Sequence, residues 1–268
     1  MSKSVLPDNP AARLHRILVA FRDHPDQKRP QSEVMAALLG TTNRAYLLAG
    51  TGAALQLPAD SWHAAESLPF EVEHDALRCL ESIEGTLQHL SLSMSVSHFV
   101  GKLEQAAVEG LYTLGLLIHR TAGEPTLEPG DVESLRSQVW DLIADTRQAD
   151  DVPEELRAFM LRRLHAIASA LDLYEVTGTL PVEDAVKATV VDAVDRPAPS
   201  AQDPTENKFW TFITRAVIIV GLANQVASLS ATVADAAPRA ISLVADHVAE
   251  LQAGEGDDDI VEAEVVDD

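Results

Sequence analysis

Leu14, Ile17, Leu18 and Phe21 recur at i, i+3, i+4 and i+7, the spacing that gathers apolar side chains on one face of a helix. Asn9-Pro10 precedes them as an N-cap and a proline at the first helical position, where a preset φ helps and no amide partner is needed. Pro25 closes the run, so a first helix is predicted to about residue 24. A second helical stretch follows Pro30 and reaches 57, with candidate breaks at Gly40 and at Gly50-Thr51-Gly52 and with Pro58 as its end. Leu77, Leu80, Ile83 and Leu87 share a face over 72–90. The stretch 95–120 is apolar nearly all round between Gly110 and Ile118, which predicts the central buried helix.

Residues 123–130 read as a loop, and from Asp131 a helix carries Leu135, Val139, Leu142 and Ile143 until Asp150-Asp151-Val152-Pro153. A long helix from Pro153 carries Leu156, Phe159, Met160, Leu164, Ile167, Leu171 and Tyr174, with Gly178 as the left-handed residue that stops it. A shorter amphipathic helix is predicted over 182–194, and three prolines among small polar residues mark a linker at 196–207. Beyond it, 208–234 and 238–252 read as a helical pair, and the last fifteen residues hold eight acids and no base. The expectation is an all-α protein: a multi-helix bundle over 9–195, the linker, a C-terminal helical pair over 208–253 and a disordered acidic tail over 254–268.

Composition sharpens this picture. Aromatics are 4% of 268 residues, so the core must be built from Leu, Val, Ile and Ala, and Ala suits helices better than strands. Cys79 is the single cysteine, which rules out an internal disulfide and points to a reducing compartment. The apolar run from Leu14 to Phe21 is interrupted by His15 and Arg16, so it does not read as a secretion signal, and the expected location is the cytoplasm. Net charge is −22, a field that repels nucleic acid and anionic lipid. Residues 1–50 nevertheless balance to +3, and the rest to −25.

The opening Asn9-Pro10-Ala11-Ala12-Arg13-Leu14, the Leu39-Gly40 that ends the second segment, and the stretch from Phe159 to Gly178 with Leu180 and Ala185 after it together resemble a widespread family of uncharacterised bacterial helical proteins. The resemblance covers about residues 9–195 and implies a long helix that ends in a Tyr-x-x-x-Gly turn before a shorter amphipathic one. It implies a bacterial origin and no particular activity.

No nucleotide-binding, hydrolase or metalloprotease motif occurs, so no enzyme is read here, and no cofactor or metal is expected. Glu71 and His74 stand at the Glu-x-x-His spacing of a dinuclear bundle site, but that site needs a second copy; Asp60-x-x-His63 is the nearest, in what reads as a proline-bounded loop. A solvated first turn rich in acids explains Glu71, Glu73 and Asp75 better. Cys79 between Leu77 and Leu80 reads as an inert buried side chain, and His119-Arg120 as cations at a helix C-terminus. Ala36, Gly40 and Thr41-Thr42-Asn43-Arg44 have the look of a helix-turn-helix. The recognition helix over 43–57 would carry one arginine for phosphate, so core packing is the preferred reading and nucleic acid is not the expected partner.

The 19 residues 216–234 carry no charge and match a bilayer span in length, although Asn224, Gln225, Ser228, Ser230 and Thr232 dilute them. Phe209, Trp210, Phe212, Ile213, Val217, Ile218, Val220 and Leu222 are the candidate interaction residues of this region. Two readings follow. In the first, the chain is a non-enzymatic interaction or regulatory protein whose C-terminal pair mediates self-association or binds a protein partner; in the second, residues 208–253 are a membrane anchor or effector controlled by the bundle.

Overall fold

A computed structural model of the protein describes residues 8–70, 72, 74–122, 126–150, 152–194 and 204–222. The protein is all-α. Eleven helices and no strand lie among the described residues: α1 (Pro10–Arg22), α2 (Gln31–Leu39), α3 (Arg44–Glu66), α4 (His74–Leu87), α5 (Val96–Val100), α6 (Gln105–Ala122), α7 (Pro129–Gln148), α8 (Glu154–Asp172), α9 (Tyr174–Thr177), α10 (Leu180–Val194) and α11 (Pro204–Ile219). They form two compact units, Met1–Arg136 with Ile167–Val182, and Ser137–Ala166 with Glu183–Asp268. The division runs through α7, α8 and α10, whereas the sequence placed its boundary at 196–207; α11 belongs with the second unit. Residues 196–203 of that linker, the second helix of the C-terminal pair and the acidic tail lie outside the described residues.

In the first unit the stripe read from the sequence becomes the centre of the core. Leu14, Ile17, Leu18 and Phe21 of α1 are buried, and the Phe21 ring meets Phe99 of α5 at 4.9 Å between centroids. Around α1 pack α2, α3, α5, α6 and α9, while α4 lies on α3 and α6. Two small residues let α6 approach its neighbours. A Cβ at Gly115 would come within 3.2 Å of the Ala12 amide nitrogen in α1, and one at Gly110 within 3.0 Å of the Cys79 Cβ in α4.

Four expectations for this unit are corrected. The second segment breaks at Gly40, which adopts φ 63°, but the helix that follows runs unbroken through Gly50-Thr51-Gly52 and through Pro58 to Glu66. A proline inside a helix removes one amide donor. Here the buried row of Ala54, Leu57, Pro58, Ser61 and Ala65 holds the helix against its neighbours across that gap, and Asp60 and His63 therefore lie on a helix and not in a loop. The segment 95–120 is two helices with a turn between them, where Thr86 donates its hydroxyl to the Lys102 carbonyl at 3.1 Å and Ser82 donates to Glu104, also at 3.1 Å. Its second part is not buried all round. Leu111, Leu114 and Ile118 face the core, while Tyr112 and Thr113 are exposed.

In the second unit, Phe159 of α8 meets Phe209 of α11 edge to face at 6.0 Å, and both rings are fully buried. Arg163 of α8 forms an ion pair with Asp192 of α10, and Lys208 of α11 reaches Asp145 of α7 at 2.7 Å. α11 ends at Ile219, where the sequence carried the helix to 234. The stop is a Schellman turn: Gly221 has φ 76°, its amide donates to the Ile218 carbonyl at 3.0 Å, and the Leu222 amide donates to Val217 at 2.9 Å. Glycine takes that conformation without the Cβ penalty other residues meet.

Candidate functional site

The eight interaction candidates in and just after α11 are placed almost entirely inside. Phe209, Trp210, Phe212, Ile213, Val217, Val220 and Leu222 are buried, and Ile218 is half-buried. Their apolar surface is already covered, so they build the second unit's core and do not present a face to solvent. Trp210 stacks edge to face on Phe209 at 4.9 Å, and its buried indole Nε1 has no hydrogen-bond partner. Among the described residues no helix is long and apolar enough to cross a membrane. The uncharged stretch 216–234 is described only to Leu222, and its helix has stopped by then. A groove of about 700 Å³ does lie between α7 and α11, lined by Asp141, Asp145, Lys208, Phe212 and Arg215, a mixed-charge surface.

The start of α1 and the turn after α9 meet in the first unit. Asn9 caps α1, its Oδ1 accepting from the Ala12 amide at 3.0 Å, and its Nδ2 donates to the Gly115 carbonyl of α6 at 2.9 Å. Asp8 and Arg13 are both almost fully buried and pair at 3.3 Å, with Arg16 on the same carboxylate oxygen. The Arg13 guanidinium lies where a side chain at Gly178 would be: a Cβ there would sit 2.1 Å from Nη1. Just before it, the Tyr174 hydroxyl accepts from the Leu127 amide at 3.0 Å, and burial pushes its phenol above the ordinary value. Arg13, with Asp8 beside it, and Gly178 thus form a buried clasp between α1 and the turn after α9, while Asn9 ties α1 to α6 and Tyr174 holds the Leu127 amide. The hydrogen bonds and the ion pair these residues make are to their own chain, which is a structural use.

Cys79 lines a groove of about 470 Å³ between α4 and α6, with Arg78, Ser82, Glu104, Gly110 and Leu114. The thiol is buried, and that burial raises its pKa, so little thiolate forms near neutrality. The folded protein is expected to react with an aromatic disulfide reagent at pH 7 at least about tenfold more slowly than the urea-unfolded chain. Equal rates, followed by the released chromophore, would place the thiol in solvent.

One surface was not singled out from the sequence. The solvent side of α3 is formed by Ala45, Leu48, Ala49, Gly52, Leu55, Gln56 and Ala59, all exposed, with Leu48 at 55% and Leu55 at 43%. The opposite side, from Leu47 to Ala65, is buried. Arg44, Asp60 and Glu66 are the only full charges in its 23 residues. In a chain of net charge −22 a solvent-facing helix without a polar face is out of keeping with the rest. The signal is present in the sequence, as a run from 45 to 59 with no charge, but periodicity alone does not tell one covered side from two.

The other constellations do not assemble. Glu71 and the side chain of His74 lie outside the described residues. His63 meets Glu66 at 3.5 Å on the surface, and His119 and Arg120 are exposed in the last turn of α6. Among the described residues no group of three or more His, Cys, Asp or Glu is gathered closely enough to hold a metal ion. The side that α3 would turn toward a nucleic acid carries Arg44 as its one full positive charge. Comparison of the chain with protein-family models, with curated proteins and with solved structures finds no match.

Proposed function

We propose that the protein is a non-enzymatic helical interaction protein of the cytoplasm, a clasped helical scaffold whose working part is a surface and not a reaction centre. The observation that carries this reading is the uncharged outer side of α3, with two of the largest exposed aliphatic side chains of the described residues held on one rigid helix. Exposed leucines scattered singly need no explanation, but a contiguous apolar side rimmed by charge marks a contact surface. The sequence put the contact surface on Phe209–Leu222; burial of those residues moves the proposal to the first unit.

Sedimentation velocity and native mass spectrometry of the full chain test the reading. A species heavier than the 28.9 kDa monomer, formed with itself or with a co-purifying protein, is expected. A chain that stays at 28.9 kDa and turns over or retains a stoichiometric small molecule would replace this reading with an enzymatic or carrier one.

A further inference from the structure

We propose that a second copy of this chain covers the outer side of α3, the two helices lying antiparallel about a two-fold axis through Gly52. The inference rests on the interaction reading above and names its partner. A helix that is apolar all round is one that is covered all round. The chain itself covers the inner side, through Leu47, Ala54, Leu57 and Ala65, and leaves Leu48 and Leu55 open.

Gly52 is the second observation. Glycine weakens a helix interior, so its presence there asks for a use. Gly50, two residues earlier, has one inside the chain: a Cβ at that position would come to 2.5 Å from the Leu39 Cδ1. At Gly52 nothing lies within 4 Å of where a Cβ would be. The space it frees is therefore outside the chain, where a second helix backbone could approach closely.

The pattern selects a copy of the same chain over an unrelated partner. An isologous contact must be complementary to itself when reversed. Counting outward from Gly52, Ala45 answers Ala59, Leu48 answers Gln56, Ala49 answers Leu55, and Arg44 answers Asp60. Each end of an antiparallel pair then holds one guanidinium and one carboxylate, whereas a parallel pair would set Arg44 beside Arg44 and Asp60 beside Asp60. Arg44 and Asp60 are both exposed, and neither forms an ion pair within the described chain. Two copies of charge −22 repel over most of their surfaces, and the stretch 45–59 is a place where they meet without opposing acids. Fifteen helical residues span roughly 22 Å, a contact at the small end of specific interfaces, so the dimer is expected to dissociate on dilution.

The test uses the full chain with Cys79→Ser, which removes the native thiol, and introduces Gly52→Cys. The two-fold sets residue 52 against itself within disulfide reach, so mild oxidation is expected to give a covalent dimer, while Glu66→Cys at the far end of the same helix stays monomeric. In otherwise native protein, Leu48→Glu is expected to raise the dimer dissociation constant at least about tenfold by sedimentation velocity, with unchanged circular dichroism. A dimer that persists in Leu48→Glu and does not cross-link at residue 52 overturns the α3 contact and leaves the interaction reading standing. A native chain that is monomeric at every concentration overturns the self-pairing. A monomer whose residue 52 thiol is shielded from a small maleimide overturns it too, and assigns the cover to the chain's own remaining residues.

Discussion

Replacing Arg13 by alanine is expected to destabilise the first unit by about 3–5 kcal/mol, the range for removing one partner from a buried ion pair. Arg13 and Asp8 are 4% and 2% exposed as side chains, and the guanidinium also fills the space beside Gly178. Its loss takes a cation from a carboxylate in a poorly hydrated place and opens a gap between α1 and the turn after α9. Gly178→Ala attacks the same clasp from the other side. Gly178 sits at φ 76° and ψ −162°, a region that only glycine occupies readily, and forcing another residue there costs about 1–3 kcal/mol before the overlap with Arg13 is counted. The two replacements share one space, so the double variant is expected to lose less than the sum of the singles by about 1 kcal/mol. Urea denaturation followed by circular dichroism measures all three. Additive losses would show that Arg13 and Gly178 do not meet.

The second large effect is expected at Phe209, where alanine should cost about 3–5 kcal/mol as a buried aromatic truncation. The ring is fully buried, edge to face with Phe159 and stacked on Trp210. If Phe209 were a free docking residue, the same change would lie within about 0.5 kcal/mol of zero, as surface changes do. Trp210 fluorescence gives a local readout of the loss, because its indole lies against the deleted ring. A native melting curve for Phe209→Ala would return α11 to the list of exposed surfaces and weaken the case for α3.

What could be read from the sequence was what is decided within a few residues. The stripe from Leu14 to Phe21, the Asn9-Pro10 start, the break at Gly40, the stop at Gly178 and the all-α class follow from side-chain period, capping and backbone sterics, which act between neighbours in the chain. Leu164 and Leu171, on the apolar stripe of the helix predicted from Pro153, are fully buried. The meeting of Arg13 with Gly178 is not of that kind. Nothing local tells that Arg13 will fill the space beside a glycine 165 positions away.

Tertiary structure alone decided the rest. Pro58 looks like a helix end to its neighbours, and becomes helical because the row from Ala54 to Ala65 is held against other helices, where burial outweighs one missing amide. Gly50 and Gly52 are equivalent in sequence, yet one is pressed on Leu39 and the other is open. Phe209 and Leu48 are both apolar residues on helices, and which of them is available to a partner depends on what the fold has already laid over each. Periodicity states that a face must be covered; it does not say whether the chain or another molecule covers it. That choice belongs to long-range packing, and it moved the candidate surface from α11 to α3.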